Sequence, residues 1–308
     1  MRSLPPLFCF LACLFLFPVI GIGALAQTVR PIVDAEWLAR NHAEPGLVVI
    51  DVRDAEDFRQ SHIPGSINAD YADTPWRFTG RRGVPMVPSP EDFAGLVAGF
   101  GVSTNDHVVV VAAGRTWTET AAATDVYWTF KRMGHRRVSI LDGGFLAYRA
   151  AIGAPVSQGQ ARPRPRVPYV VQPNDDLAAS RNRVLSASRA TVLIDARLQG
   201  DYLGINRAEW VARYGTIPGA KNLPANWLTT DGRGSLRDTA EYVKILEHLQ
   251  IDYREDMITF GNGSQTGSLA WFVLFEVLGN RRTRLYAGGM ADWAADRASP
   301  VERRINLD

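Results

Sequence analysis

The chain has 308 residues, with 46% hydrophobic and 21% charged side chains and a formal net charge of +2. That is length for about two domains and composition for a real core, which excludes a disordered chain or a fibre. So balanced a charge argues against nucleic acid, or an anionic membrane surface, as a partner.

In chain order, the first predicted element is a targeting signal. Arg2 supplies a positive start, and Leu7 to Leu25 is dominated by Leu, Phe, Ala, Cys, Val and Ile. Ala24-Leu25-Ala26 has the small-x-small form of a cleavage site before Gln27. A retained membrane anchor is the alternative, because the apolar run approaches bilayer-spanning length. Pro18, Gly21 and Gly23 favour removal, and the expected destination is the periplasm or the medium. The two cysteines, Cys9 and Cys13, both lie in this segment. The exported chain is therefore expected to have no thiol and no disulfide, in a compartment that would permit disulfides. Loss of residues 1–26 removes Arg2 and leaves a net charge near +1.

Short Val/Ile-rich runs without clean alternation follow at Leu47–Val52, His107–Val111 and Arg137–Leu141, as expected of strands buried on both faces. Helices are predicted between them at Asp34–Asn41, Ser89–Phe100 and Glu119–Met133. Residues 157–168 contain Arg162-Pro163-Arg164-Pro165-Arg166, a composition for a semi-rigid spacer, with a basic binding stretch as the alternative. Beyond it, strands are predicted at Thr191–Asp195, Met257–Phe260 and Arg284–Tyr286, and helices at Thr239–Leu249 and Gly267–Leu278. The last helix is apolar almost all round except at Glu276, which makes it a central helix against the sheet, too short to span a membrane. The alternation predicts an α/β fold with mostly parallel sheets covered by helices on both faces. The five histidines show no metal-ligand spacing, and no cofactor is expected.

The chain also says most things twice, at a spacing of about 145–150 residues, far longer than a solenoid period. Val49-Ile50-Asp51-Val52-Arg53 recurs as Leu193-Ile194-Asp195-Ala196-Arg197, and Ile63-Pro64-Gly65-Ser66 as Ile217-Pro218-Gly219-Ala220. Val108 to Val111 corresponds to Met257 to Phe260, Leu141-Asp142-Gly143-Gly144 to Tyr286-Ala287-Gly288-Gly289, and Ala154-Pro155-Val156 to Ser299-Pro300-Val301. Five anchors in one order mean two copies of one domain. The expected organisation is a signal at 1–26, domain 1 at 27–156, a linker at 157–168 and domain 2 at 169–308.

As an ordered set, these anchors resemble the rhodanese superfamily in its tandem form, that of thiosulfate and 3-mercaptopyruvate sulfurtransferases. Phe58-x-x-x-His62-Ile63-Pro64-Gly65 and Gly134-His135-x-x-Val138-x-Ile140-Leu141-Asp142-Gly143-Gly144 are similar to motifs of the first domain. Asp195-x-Arg197, Tyr202-Leu203-Gly204, Ile217-Pro218-Gly219-Ala220-x-Asn222 and Tyr286-x-Gly288-Gly289-x-x-x-Trp293 are similar to motifs of the second. Within them His62 reads as a turn or packing residue, and Asp51 and Asp195 as structural carboxylates at strand ends.

In an open parallel sheet, chemistry lies beyond the carboxyl ends of the strands. Here that place is Gly261-Asn262-Gly263-Ser264-Gln265-Thr266, between the strand Met257–Phe260 and the helix that follows. The resemblance implies a cysteine at the first position, whose thiolate carries sulfur as a persulfide cradled by backbone N–H groups. This chain has Gly261 there, and Ala112-Ala113-Gly114-Arg115-Thr116-Trp117 in the first copy. The resemblance also implies an arginine at the position of Asp201 and a basic residue at that of Thr266, both facing an anionic donor. Ser264 and Thr266 are hydroxyls with no evident base beside them in sequence. The expected protein is a non-catalytic, monomeric, exported binding module. Its ligand is expected to be a small sulfur-containing anion held by the glycine-rich turn, with Arg197 flanking it, or a periplasmic partner protein; the other reading of the turn is a vestigial loop in which Gly261 and Gly263 only allow a tight bend. The alternative is a sulfurtransferase that borrows an external thiol. On the main reading Gly261→Cys, alone or with Asp201→Arg, is expected to accept sulfur from thiosulfate.

Overall fold

A computed structural model describes residues 29–80, 84–187 and 190–307 of the chain. The expected targeting signal and both cysteines lie outside the described residues.

The first sheet has five parallel strands: β1 (Ile32–Val33), β2 (Leu47–Asp51), β3 (Ile67–Asn68), β6 (His107–Val111) and β7 (Val138–Leu141), in the order β1-β7-β6-β2-β3. A small antiparallel ribbon of β4 (Phe78–Thr79) and β5 (Pro85–Met86) projects from the connection after β3. The helices are α1 (Ala35–Asn41), α2 (Ala55–Gln60), α3 (Pro90–Gly99), α4 (Trp117–Arg132) and α5 (Gly144–Ala150). Local chemistry starts them: Asp34 accepts from the Trp37 N–H at 2.6 Å, and Ser89 caps α3 with Pro90 at its first position. A capping box of Thr116 and Glu119 opens α4. The expected strand ends shift by one residue, at Val52 and Arg137, where strand pairing stops.

The second sheet repeats the pattern with β8 (Thr191–Asp195), β9 (Lys221–Asn222), β10 (Asp256–Phe260) and β11 (Thr283–Tyr286), in the order β11-β10-β8-β9 and all parallel. A single parallel bridge from Ala178 to Leu285 stands where β1 stands in the first domain. Around this sheet lie α6 (Arg181–Leu185), α7 (Gln199–Leu203), α8 (Thr239–His248), α9 (Ser264–Phe272) and α10 (Gly289–Ala295). Two halves with matching strand orders are the structural form of the sequence repeat.

Two findings correct the predicted helices. The helix expected at Gly267–Leu278 starts three residues earlier, at Ser264, and its last turn, Val273–Val277, is widened into a π-helix. Glu276, in that turn, accepts from the Tyr127 hydroxyl at 2.8 Å and pairs with Arg281 at 2.8 Å. The linker is laid along the first domain, where the Val167 N–H donates to Ala98 O at 3.3 Å. Arg162, Arg164 and Arg166 remain exposed.

α4 and α9 are equivalent helices, each following the central strand of its sheet, and they pack on one another. Thr120 to Phe130 of α4 are all buried. Small residues make the close approach possible, with the Thr124 and Ser268 hydroxyls 3.1 Å apart. The apolar core is continuous across this seam: Val126, Tyr127 and Phe130 share a cluster with Trp271, Phe272 and Phe275.

Candidate functional site

β10 runs between β8 and β11 and delivers the chain at Gly261, beyond the carboxyl edge of the second sheet. Gly261 to Gly263 make the turn, and Ser264, Gln265 and Thr266 already belong to the first turn of α9. The turn is held from below by α10. Met290 N–H donates to Gly261 O at 2.8 Å and Ala291 N–H to Asn262 O at 2.9 Å. Gly289, at φ +52°, lets the backbones meet, since a side chain there would strike both carbonyls. The first domain makes the same joint, with Phe145 N–H on Ala112 O at 2.8 Å and Leu146 N–H on Ala113 O at 3.0 Å.

Gly261 is buried, and the space its missing side chain leaves is already filled. A Cβ built on Gly261 would land on Thr266 Oγ1 and lie 3.0 Å from Gly263 O and 3.1 Å from Gly267 N. Thr266 Oγ1 is itself screened from solvent and has no hydrogen-bond partner. Each other residue of the turn is engaged. Asn262 Oδ1 accepts from the Arg197 guanidinium at 3.4 Å, and the Gln265 amide donates to Thr118 O at 3.0 Å. Gly263 passes under Pro85 and Trp210, with a Cβ there 3.3 Å from Pro85 Cγ.

Ser264 is clamped from the first domain. Its hydroxyl accepts from Arg77 Nε at 2.7 Å and donates to Asp125 Oδ2 at 3.0 Å. Arg77 forms an ion pair with Asp125, which is fully buried, and also donates to Thr129 Oγ1 at 2.8 Å. Tyr71 donates to Asp125 Oδ2 at 2.7 Å, and burial with that neighbouring charge raises its hydroxyl well above the usual tyrosine range. Nothing local in the sequence singles out Arg77. The missing signal was its partner, 48 positions along the chain.

The structure brings Arg197 to the turn, but its charge is engaged elsewhere. Arg197, only 2% exposed, forks onto Asp195 through Nε at 3.0 Å and a terminal nitrogen at 2.6 Å, and donates to Gly215 O at 2.8 Å. Arg53 repeats the clamp on Asp51 at 2.9 and 2.6 Å and donates to Ser61 O at 2.9 Å. The Asp-x-Arg pairs thus lock a strand end to the connection that follows it. Asp201 lies in the first turn of α7, half-buried. His62 stacks on Phe58 with ring centres 4.0 Å apart and bonds Phe58 O at 2.9 Å, a packing role.

Comparison with known proteins follows the same repeat. The model of the rhodanese-like domain matches residues 34–151 and again residues 179–296. The chain belongs to the rhodanese family. A rhodanese relative in Mycobacterium bovis, a putative thiosulfate sulfurtransferase, is 28% identical over 280 residues, covering 88% of this chain and 97% of the relative. The thiosulfate sulfurtransferase of Cricetulus griseus is 29% identical over 294 residues, covering 90% of this chain and 95% of its own. Among solved rhodanese-fold structures, the 3-mercaptopyruvate sulfotransferase SseA from Escherichia coli superposes with a TM-score of 0.70 at 24% identity, over 85% of this chain and 99% of that one. The Tum1 protein of Saccharomyces cerevisiae gives 0.73 at 21% identity, over 90% and 99%. These likenesses establish the tandem rhodanese, sulfurtransferase-like family.

Proposed function

We propose that this is an exported, non-catalytic rhodanese-like protein that acts by binding. The observation carrying this reading is Gly261 with the Thr266 hydroxyl in the space beside it. Sulfane-sulfur transfer in this scaffold needs a thiolate at a strand-to-helix turn. Here the position has no side chain, and from Gln27 onward the sequence contains no cysteine. Ser264 does not replace it, because its hydroxyl is tied to both Arg77 and Asp125. Export rests on the leader sequence alone. With Pro85 and Trp210 over Gly263, the closed turn favours a periplasmic partner protein over a small sulfur anion held at residues 261–266.

The test is cyanide-dependent thiocyanate formation from thiosulfate and from 3-mercaptopyruvate by the purified protein lacking residues 1–26. Background rates are expected with both donors. Turnover on the order of 1 s⁻¹ or faster without added thiol would overturn the proposal. The same assay with an added small thiol separates it from the borrowed-thiol alternative.

A further inference from the structure

At the other edge of the first sheet, the amino-terminal ends of β1, β6 and β7 and the helix α1 enclose a cavity of about 410 Å³. That volume lies within the range of small-ligand sites. Its polar lining is Arg30, Asp34, Asn41, His107 and Arg137, and Trp37 forms an apolar wall.

Arg137 is the member that needs explaining. It is half-buried, its Nε is screened from solvent without a hydrogen-bond partner, and among the described residues its guanidinium has no ion pair. A partly desolvated cation without an ion pair is costly to keep. His107 presents a second open valence. The Ser139 hydroxyl donates to Arg30 O at 2.5 Å, so His107 Nε2, 2.7 Å from that hydroxyl, is the donor of the pair. Its Nδ1 is then an acceptor with no partner among the described residues. Burial, followed by the charge of Arg137, pushes this imidazole down to about 4, so it stays neutral at physiological pH. Trp37 stands beside it, with ring centres 5.6 Å apart.

We propose that this cavity binds a small aromatic monocarboxylate that carries a hydrogen-bond donor on its ring. The planar carboxylate matches the guanidinium fork of Arg137. The ring lies against Trp37, and its donor meets His107 Nδ1. Two arginines against the one carboxylate of Asp34 leave a single net positive charge around a neutral imidazole, which suits a monoanion better than a multiply charged oxyanion. The site shares no residue with the turn at Gly261, so it stands independently of the sulfur chemistry.

Calorimetric titration of the purified protein with 4-hydroxybenzoate, acetate and sulfate tests it. 4-Hydroxybenzoate should bind tightest, and Arg137→Gln should weaken it about tenfold or more. Trp37→Leu should weaken 4-hydroxybenzoate while leaving acetate unchanged. Arg137→Lys keeps the charge without the fork, guards against a folding artefact, and should fall between wild type and Arg137→Gln. Unchanged affinity in Arg137→Gln, sulfate binding as tight as 4-hydroxybenzoate, or no heat with any probe would each overturn the assignment.

Discussion

Thr266 projects from the first turn of α9 with its hydroxyl buried, unpaired and set where a Cβ on Gly261 would stand. On the proposed non-catalytic reading, placing a nucleophile at this turn therefore takes two changes, a side chain at Gly261 and a smaller neighbour at position 266. A β-branched residue on a helix has few rotamers with which to withdraw. Two backbone atoms also lie 3.0 and 3.1 Å from the required Cβ, so the turn has little slack. The structure thus changes the restoration experiment. Gly261→Cys alone, or with Asp201→Arg, should take up no sulfur from thiosulfate, whereas Gly261→Cys/Thr266→Ala should gain one sulfur atom by mass spectrometry. In that step the introduced thiolate attacks the outer sulfur of thiosulfate, a new S–S bond forms, and sulfite leaves with the electron pair of the old one. Full loading of the single variant would show that Thr266 is no obstacle. An unloaded double variant whose thiol still reacts with iodoacetamide would show that the turn has lost its shape for persulfide. Sequence alone places Gly261 at the strand-to-helix turn, because the strand before it and the glycines around it are local signals. It could not reveal Thr266, because that contact depends on which way one hydroxyl points across a helical turn.

Among the elements, the strands buried on both faces were the most legible. β6, His107 to Val111, is a run of five buried residues, and its counterpart β10 was found by the repeat as well as by composition. The two-residue strands β1, β3 and β9 were missed, since each pairs along one side only and is too short to show a period. The β4–β5 ribbon was missed because Pro85 reads as a breaker, although proline is tolerated on such an edge. The start of α9 was misplaced because Gly263 gives it no side-chain cap. Two histidines at element ends carry a consequence that the strand pattern does not show. His135 follows α4 with Nδ1 accepting from the Tyr169 hydroxyl at 2.8 Å and Nε2 donating to Asp106 O at 3.0 Å. Burial outweighs those carbonyl bonds and lowers its pKa from 6.5 to about 4, and His107 is lowered likewise. Between those values the unfolded chain binds more protons than the folded one, so stability is fully present above pH 6.5 and declines toward pH 4. The urea midpoint of the wild type should fall across that window. His135→Gln, which retains an acceptor and a donor, should fall less steeply. A midpoint equally pH-dependent in both proteins would assign the effect to other groups.

At the scale of the whole molecule, each domain covers the strand-to-helix turn of the other. From the first domain, Arg77 reaches Ser264 and Pro85 lies over Gly263. From the second, the Gly234 backbone lies against Gly114, its carbonyl accepts from the Thr120 hydroxyl at 2.7 Å, and Asp142 accepts from the Leu236 N–H at 2.8 Å. This reciprocity follows from the pseudo-symmetry of α4 on α9, since whatever one domain extends across the seam meets the equivalent turn of its twin. Ala121 of α4 sits in one cluster with Leu269, Ala270 and the residues under α8, so neither domain has a complete core alone. Such a molecule should unfold in a single calorimetric transition, unlike domains joined by a modest polar interface. Asp125→Ala tests the coupling at its centre. It leaves the Arg77 guanidinium, whose side chain is 13% exposed, without its counter-charge, and breaking a buried pair in this way costs about 3–5 kcal/mol. The whole transition should move to lower temperature as one peak, because the clamp on Ser264 belongs to both halves. Two resolved peaks, with only the first domain shifted, would mean that the halves fold separately and that the seam is a surface contact.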